Sequence, residues 1–256
     1  MELFDLPIWV VLLVWTGVFC ASFMDAIAGG GGLISLPAYL LAGLPAHIAL
    51  GTNKLSSCIG TVASTVRYVK NGYADWFLAI PSIVLALIGA HFGTKLQLAV
   101  DEHFLKLMLL FVLPVIAVIL LKEKNLPEER REMGKWSRLA IVCISSLIIG
   151  AYDGFYGPGT GTFLLLCYCF LAKLDVRTSS GNVKLVNLSS NLGALVTSLL
   201  AGKVLIPLGL SAAVFAIAGQ YIGSGLAIKN GSKIVRPFIF IVLLLLIGDV
   251  VLELIK

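Results

Sequence analysis

Long stretches of this chain contain no charged side chain. Asp, Glu, Lys and Arg are absent from five runs of 18 to 25 residues: 6–24, 76–94, 154–172, 185–202 and 204–228. About 20 apolar residues in a helix span the hydrocarbon core of a bilayer. Turn residues and charges divide the chain into ten apolar segments, near 8–28, 33–46, 48–69, 76–95, 104–121, 138–152, 161–173, 182–201, 205–228 and 235–254. This pattern predicts an all-α, polytopic helical membrane protein with about 8–10 membrane segments.

The composition of the chain is typical of a membrane protein and not of a soluble domain. Hydrophobic residues make up 59% of the chain and charged residues 13%, and the mean hydropathy is +0.99. A soluble domain is about 45–50% apolar and about 25% charged. The net charge of +5 lies largely in short loops, where it orients helices in the membrane, so we expect no nucleic-acid partner. The five cysteines lie in apolar runs and are interpreted as small buried hydrophobic residues, and we expect no metal and no cofactor.

The two halves of the chain share glycines and charges in the same order, which indicates an internal repeat. At an offset of 130 residues, Lys54 meets Lys184, Gly89 meets Gly219 and Gly93 meets Gly223; at an offset of 128, Asp25 meets Asp153, Gly29 meets Gly157 and Gly31 meets Gly159. A hydrophilic stretch near the middle separates the halves. The predicted division is a first membrane repeat at 1–121, a cytoplasmic linker loop at 122–137 and a second membrane repeat at 138–256.

The positive charges in the loops predict how the halves are related. Suppose that the first two segments of each half run there and back across the membrane. The 17 Lys and Arg other than Lys54 and Lys184 then fall 13 on one side and 4 on the other. A single continuous span in place of those two segments gives a split of 10 to 7. The positive-inside rule favours the first arrangement, so we predict inverted repeats with both termini external, as in many secondary transporters.

Two glycine-rich motifs interrupt the apolar pattern. The first glycine motif (residues 25–32) reads DAIAGGGG, and the second glycine motif (residues 153–161) reads DGFYGPGTG. Runs of Gly and Gly-Pro-Gly do not sustain a helix, and unwound backbone at membrane depth needs protein or water partners. We predict two re-entrant or broken helices whose tips meet near the membrane midplane; the alternative is that the glycines permit tight helix packing. The candidate substrate-binding glycines are Gly29, Gly30, Gly31, Gly32, Gly157, Gly159 and Gly161.

Each glycine motif begins with an acid, Asp25 in the first and Asp153 in the second. An acidic side chain in a membrane segment is costly and marks a functional site by default. Two roles fit such an acid, which are carrying a coupling proton and pairing with a lysine. The alternative is an acid at the membrane interface or one that caps the turn's own amides.

A polar cluster follows each glycine motif and contains a lysine, Lys54 in the first half and Lys184 in the second. The predicted segments place each lysine in the first turns of a helix, where the helix dipole disfavours a cation. A lysine at this place in both halves favours an anion held between them, with helix amides as further donors. The alternative is a lysine that extends to the lipid headgroups. Neutral hydrogen-bonding candidates for the same site are Asn53, Ser57, Asn182, Asn187 and Asn191.

These motifs resemble those of the sulfite exporter TauE/SafE family of membrane permeases. The resemblance is carried by DAIAGGGGLI from Asp25, ALGTNKL at 49–55, DGFYGPGTG from Asp153, and then Lys184 and Asn187. It covers both halves and most of the chain. It implies a two-repeat carrier in the cell inner membrane for sulfite, organosulfonates or related sulfur oxyanions. The match is to the inner-membrane subgroup of the family more than to the sulfite exporters that give the family its name.

The sequence therefore favours a secondary-active, ion-coupled transporter of a small anion over an enzyme. The glycine run at 29–32 lacks the Lys-Ser/Thr ending of a phosphate-binding loop, which argues against an ATP-driven pump. One alternative is an intramembrane enzyme that uses Asp25 and Asp153 as a catalytic pair. Another is a passive anion channel. The expected partners are a small sulfur oxyanion and membrane lipid, and a homodimer is one assembly that the sequence leaves open.

The charge bias predicts the result of topology mapping. Reporter fusions after residue 128 and after residue 231 should both report a cytoplasmic location, and a fusion at the C-terminus should report an external one. The measurement is paired alkaline phosphatase and fluorescent protein activity for each fusion. A cytoplasmic C-terminus together with a cytoplasmic central loop would contradict the inverted repeats.

Overall fold

The structure, a computed structural model, describes residues 2–3, 6–100 and 126–255. Two short strands, β1 (Glu2–Leu3) and β2 (Leu6–Pro7), pair in antiparallel orientation ahead of the first helix. The predicted segment 104–121 lies outside the described residues. The helices in the described ranges are α1 (Ile8–Ala28), α2 (Gly32–Leu41), α3 (Ala46–Lys70), α4 (Trp76–Ala99), α5 (Lys135–Phe155), α6 (Thr160–Leu166) with a π-helical turn (Cys167–Leu171), α7 (Val176–Leu200), α8 (Ile206–Asn230) and α9 (Ser232–Ile255).

Five of these helices, α1, α4, α5, α7 and α8, are long and apolar enough to cross a membrane. Their outward faces carry large apolar side chains, such as Phe92 on α4 and Val214 on α8, which are 63% and 64% exposed. Helix α3 is equally long but buries Thr52, Asn53 and Ser56 inside the protein. Because apolar side chains outside and polar side chains inside suit a lipid environment, the predicted polytopic helical fold is confirmed.

Two helices are too short to cross a bilayer. Helix α2 has 10 residues, and α6 with its π-helical turn covers Thr160–Leu171. At about 1.5 Å per residue each reaches roughly half of a hydrocarbon core about 30 Å thick. The breaks lie at the glycine motifs, where Gly29 and Gly30 have φ of 80° and Gly159 has φ of 84°. Residues with a side chain rarely adopt this backbone conformation, so these glycines interrupt the helices as predicted.

The helix contacts repeat when the two halves are exchanged. Helix α1 packs against α8, and its counterpart α5 packs against α4. Helix α3 packs against α8, while its counterpart α7 packs against α4. Helices α3 and α7 also pack against each other. Each half is therefore folded mainly against the other half, in the pattern that a pseudo-twofold axis between the repeats produces.

Glycines make the closest of these helix crossings. A Cβ atom built at Gly219 or Gly223 of α8 would overlap the backbone of α1 at Phe19 and Phe23. The same holds for two glycines of α4 against α5: Gly89 meets Leu147 and Gly93 meets Ala151. The repeat offsets of 130 and 128 residues relate these two crossings to each other. Small residues let membrane helices approach closely enough for backbone to contact backbone.

The described part of the linker is tied to the second half. The amide of Val176, at the start of α7, donates to Pro127 O at 2.9 Å, and Arg131 N donates to Lys173 O at 3.0 Å. The buried guanidinium of Arg138 donates to Ala172 O and to Arg131 O. These bonds satisfy backbone groups that have no partner within a helix, after the end of α6 and at the start of α7.

Replacing Gly93 with Ala should destabilise the protein because the added methyl group would overlap the carbonyl oxygen of Ala151. Overpacking of this kind costs about 1–3 kcal/mol. The measurement is the thermal unfolding midpoint of purified protein in detergent. Gly134→Ala is the matched control, since its nearest neighbour would be Ser137 Oγ at 3.6 Å. Equal midpoints for the two variants would show that the α4–α5 crossing is not tight.

Candidate functional site

The two glycine motifs meet inside the protein. A Cβ atom at Gly29 would overlap the backbone of Gly161 and Thr162, and one at Gly32 would lie 3.1 Å from Pro158 Cα. The hydroxyl of Thr162 donates a hydrogen bond to the carbonyl oxygen at the end of α1, at 2.8 Å. The prediction that the tips of the two motifs meet is confirmed. Their depth in the membrane stays a prediction.

Two ion pairs connect the halves at this meeting point. Lys54 Nζ on α3 lies 2.9 Å from Asp153 Oδ1 on α5, and Lys184 Nζ on α7 lies 2.7 Å from Asp25 Oδ2 on α1. The repeat relates the two pairs, since Lys54 corresponds to Lys184 and Asp25 to Asp153. Of the two roles that fit the acids, pairing with a lysine is the one that the structure contains.

The prediction that each lysine lies in the first turns of its helix is wrong. Helix α3 begins at Ala46 and α7 begins at Val176, so each lysine is the ninth residue of its helix. The helix dipole acts within the first turn and does not extend that far. Extension to the lipid headgroups is also wrong, because Lys54 and Lys184 are 6% and 2% exposed. Both ammonium groups are held in the protein interior by partners from the opposite half.

The Lys184–Asp25 pair is fully hydrogen-bonded. The Asp25 carboxylate accepts from Lys184, from Gln220 Nε2 at 2.8 Å and from the amide of Gly31. The Lys184 ammonium also donates to the main-chain oxygen of Asp25. Hydrogen bonds between charged groups are stronger than those between neutral groups, so this carboxylate is tightly held. This pair fixes the end of α1 against α7.

The Lys54–Asp153 pair has fewer partners. The Lys54 ammonium donates to Asp153 Oδ1 and to Asn191 Oδ1, the latter at 3.1 Å. The second carboxylate oxygen, Asp153 Oδ2, is buried and has no hydrogen-bond partner in the part of the chain that the structure describes. Buried polar atoms are almost always satisfied in proteins. The two pairs are therefore equivalent in position and different in environment.

A polar cavity of about 40 Å³ lies beside the Lys54–Asp153 pair, between the two glycine motifs. This is room for about three waters at 10–15 Å³ each. The predicted site residues that line it are Asp25, Gly30, Gly31, Gly32, Asn53, Lys54, Ser57, Asp153, Gly157, Gly161, Asn187 and Asn191. The structure thus brings together most of the candidates from both halves.

Four predicted site residues do not line this cavity. Gly29 lies at the contact between the glycine motifs, and Gly159 holds the left-handed turn before α6. Asn182 donates to Thr178 O within α7. Lys184 lies behind Asp25 and lines a smaller space of about 10 Å³. These positions suit support of the site more than contact with a ligand in the cavity.

Several polar residues of the cavity were not predicted from the sequence. They are Ser22, Ser35, Thr61, Thr160 and Gln220. Gln220 was detectable, since it is the one amide side chain in the uncharged run at 204–228. Its counterpart in the first half is Ala90, so the repeat gave no second copy to draw attention to it.

Comparison with known proteins agrees with this architecture. The family described as sulfite exporter TauE/SafE matches residues 14–250. A probable membrane transporter protein, ORF9, of Sinorhizobium sp is 35% identical over 241 residues, which is 93% of this chain and 91% of that protein. A probable membrane transporter protein of Haemophilus influenzae is 31% identical over 97% of each chain. Probable membrane transporter protein YfcA of Escherichia coli K12 is 33% identical over 87% of this chain and 82% of its own length. No solved structure matches.

Replacing one partner of the Lys184–Asp25 ion pair should destabilise the protein more than replacing both partners. We expect Lys184→Gln to cost about 3–5 kcal/mol of stability, because the Asp25 carboxylate, only 15% exposed, loses its counter-charge. Adding Asp25→Asn should recover a large part of this loss, since no uncompensated charge then remains. The measurement is a double-mutant cycle on unfolding free energies in detergent. Lys203→Gln, at an exposed lysine, is the control and should change stability by about 0.5 kcal/mol or less. Additive effects of the two substitutions would show that the pair is not coupled.

Proposed function

Because the chain belongs to the sulfite exporter TauE/SafE family of membrane transporters, we propose that it is a secondary-active carrier of a small sulfur oxyanion. Sulfite and organosulfonates are the substrate class, and transport is coupled to an ion. The protein acts in the cell inner membrane, with the central loop in the cytoplasm and both termini outside. The substrate site is the cavity between the glycine motifs.

The observation that carries this proposal is the buried ammonium of Lys54 on the cavity wall. It is the one Lys or Arg among the described residues that line the cavity. A cation inside a membrane protein is costly and marks a pathway for an ion or a substrate. A compact ammonium also attracts an oxyanion strongly where water is scarce. The proposal therefore assigns the substrate contact to Lys54 and a supporting role to Lys184.

Neutral polar side chains line the same cavity as the Lys54 ammonium. Asn53 and Ser57 lie on the same helix, and Asn187 and Asn191 approach from α7. The amino end of α2 adds Gly32, and amides at a helix start favour anions. An oxyanion has several acceptor oxygens, so a site with one cation and several neutral donors suits it. These residues come from both repeats.

The position of the cavity supports a carrier. It lies where two interrupted helices meet between the repeats, the place where many secondary transporters bind substrate. Relative movement of the repeats would open such a site to either side in turn. A catalytic pair of acids requires two carboxyl groups that share one site. Here Asp25 and Asp153 are each paired with a lysine, which argues against the intramembrane enzyme.

Uptake into proteoliposomes tests the proposal. The panel contains sulfite, methanesulfonate, isethionate and sulfate, with empty liposomes as the control. A carrier saturates with substrate concentration and responds to an ion gradient. A channel follows the membrane voltage without saturation at low concentration, and an enzyme moves nothing. Transport of none of the four anions would refute the proposed substrate class.

Lys54→Gln should weaken the apparent affinity for the transported anion about ten- to hundredfold. Loss of a hydrogen bond from a charged group costs about 1.5–3 kcal/mol. Lys54→Arg should restore part of the affinity, because a planar guanidinium fits the place of a compact ammonium poorly. The measurement is the concentration dependence of uptake, normalised to protein in the membrane.

Lys95→Gln is the matched control, since Lys95 is an exposed lysine near the end of α4. It should leave the apparent affinity unchanged. Unchanged affinity in Lys54→Gln, with folded protein present at the wild-type level, would remove the principal residue of the proposed anion site.

A further inference from the structure

We infer that Asp153 takes up a proton when an anion binds at Lys54, so that anion and proton enter the site together. The inference rests on the proposed anion site and adds its coupling ion. It also distinguishes Asp153 from Asp25, the acid at the equivalent position in the other repeat.

The charge of the site requires compensation. Lys54 and Asp153 form a buried pair with no net charge. A singly charged anion bound beside them would leave one uncompensated negative charge in the protein interior. Burial of an unpaired charge costs several kcal/mol, so it is avoided by pairing or by neutralisation. A proton on Asp153 restores neutrality and leaves Lys54 free to pair with the anion.

The hydrogen bonds show which acid accepts the proton. Asp25 receives three donors, and its protonation would weaken all three of those interactions. Asp153 receives one donor, on Oδ1, while Oδ2 is buried without a partner among the described residues. A proton on Oδ2 therefore displaces no donor from the described residues. The protonated oxygen becomes a donor in a cavity that contains unused acceptors.

Two of those acceptors line the same cavity. Gln220 Oε1 and Thr61 Oγ1 are buried and have no hydrogen-bond partner in the described ranges. Together with Asp153 Oδ2 they give the cavity three unsatisfied oxygen atoms. Buried oxygens without a hydrogen-bond partner favour the arrival of a donor, which is either a protonated Asp153 or a water molecule beside it. An anion alone would bring more acceptors and no donor.

Lys54 has a second anchor that allows it to change partners. Asn191 Oδ1 accepts from its ammonium at 3.1 Å, so the side chain stays held when it leaves Asp153. Gly157 packs closely against the pair, since a Cβ there would lie 3.0 Å from Lys54 Nζ and 3.2 Å from Asp153 Oδ1. The anion reaches the ammonium from the cavity that Lys54 and Asp153 both line.

Other titratable groups near α5 are engaged elsewhere. Among the described residues, Lys54 and Asp25 share the cavity with Asp153, and Asp25 is bonded to Lys184. Helix α6 carries no titratable side chain. The remaining titratable groups on or next to α5 are Lys135, Arg138, Cys143, Tyr152 and Tyr156. Those on the elements packed against α5 are His91 and the exposed Lys95 of α4, Arg177 and Lys184 of α7 with Asp175 just before it, and Cys167, Tyr168 and Cys169 of the π-helical turn. None of these lines the cavity, so Asp153 is the acceptor beside the anion.

The step balances without any redox chemistry. A proton from water binds Asp153 Oδ2, the Lys54–Asp153 ion pair opens, and an anion oxygen takes the place of Asp153 Oδ1 at the ammonium. Lys54 keeps its proton throughout, and no covalent bond to carbon or sulfur forms or breaks. When the anion leaves, Asp153 releases the proton and the ion pair closes again. A proton gradient thereby drives the anion in the same direction as the proton.

Proton uptake on anion binding tests the inference directly. Methanesulfonate is the probe because its single negative charge does not change with pH. It is added to the purified full chain in weakly buffered detergent solution with a pH indicator, and its affinity is measured by calorimetry from acid to alkaline pH. Wild-type protein should take up about one proton per bound anion. Its affinity should be highest at low pH and fall about tenfold per pH unit where Asp153 is ionised in the free protein.

Asp153→Asn should abolish the proton uptake and make the affinity independent of pH. Asp75→Asn is the control, since Asp75 pairs with Arg130 away from the cavity, and it should take up the proton as wild-type protein does. Asp153→Glu keeps a carboxyl group and should keep the uptake, with its pH midpoint displaced. The wild-type stoichiometry stands as a test even where Asp153→Asn does not fold.

The outcomes separate the two proposals. No binding of methanesulfonate by wild-type protein, with no transport of the other anions, overturns the proposed function and this inference with it. Binding without proton uptake overturns the inference alone and leaves the anion site in place. Proton uptake that persists in Asp153→Asn also overturns the inference, whether or not Asp25→Asn abolishes the uptake.

Discussion

The structure depends on two ion pairs inside the protein that form across the repeat boundary. Each lysine lies in the middle of a long helix, and its counter-charge is an aspartate at the end of the first long helix of the opposite half. Each half contributes one lysine and one aspartate to the site, and each lysine pairs with the aspartate of the other half. Because an unpaired charge inside the protein is so costly, these crossed pairs hold the two halves together. The exchange of packing partners between the repeats follows the same requirement.

The glycines make this interlocking possible. Two helices of opposite halves approach each other closely at Gly93 and at Gly223, which brings the aspartate-bearing helix ends into the interior. At the glycine motifs α1 and α5 end and the short helices α2 and α6 begin, with a polar cavity between the two motifs. Interrupted backbone inside a membrane protein is stable where other parts of the protein cover it, as the opposite motif and the surrounding polar side chains do here.

Duplication produced two equivalent ion pairs, and a small difference in their surroundings separates their behaviour. Gln220 contributes a donor to Asp25, while its counterpart Ala90 contributes none to Asp153. Asp25 is thereby saturated, and Asp153 keeps an unsatisfied oxygen on the cavity wall. In the proposed carrier the Lys184–Asp25 pair holds the halves together, and the Lys54–Asp153 pair exchanges partners with substrate and proton. In this proposal the same fold contains one ion pair with a structural role and one equivalent ion pair that changes partners during transport.

The sequence by itself determined the membrane class, the internal repeat, the positions of the helix breaks and most of the residues around the cavity. Charge-free runs, repeated glycines and isolated charges have few stable arrangements in lipid, so their meaning is local and can be read without a structure. The tertiary structure decided that Lys54 pairs with Asp153 and Lys184 with Asp25, that both lysines lie deep within their helices, and that Gln220 belongs to the site. These facts depend on contacts between residues about 100 to 200 positions apart. Local pattern carries no information on such contacts, because they arise only when the helices of the two halves pack.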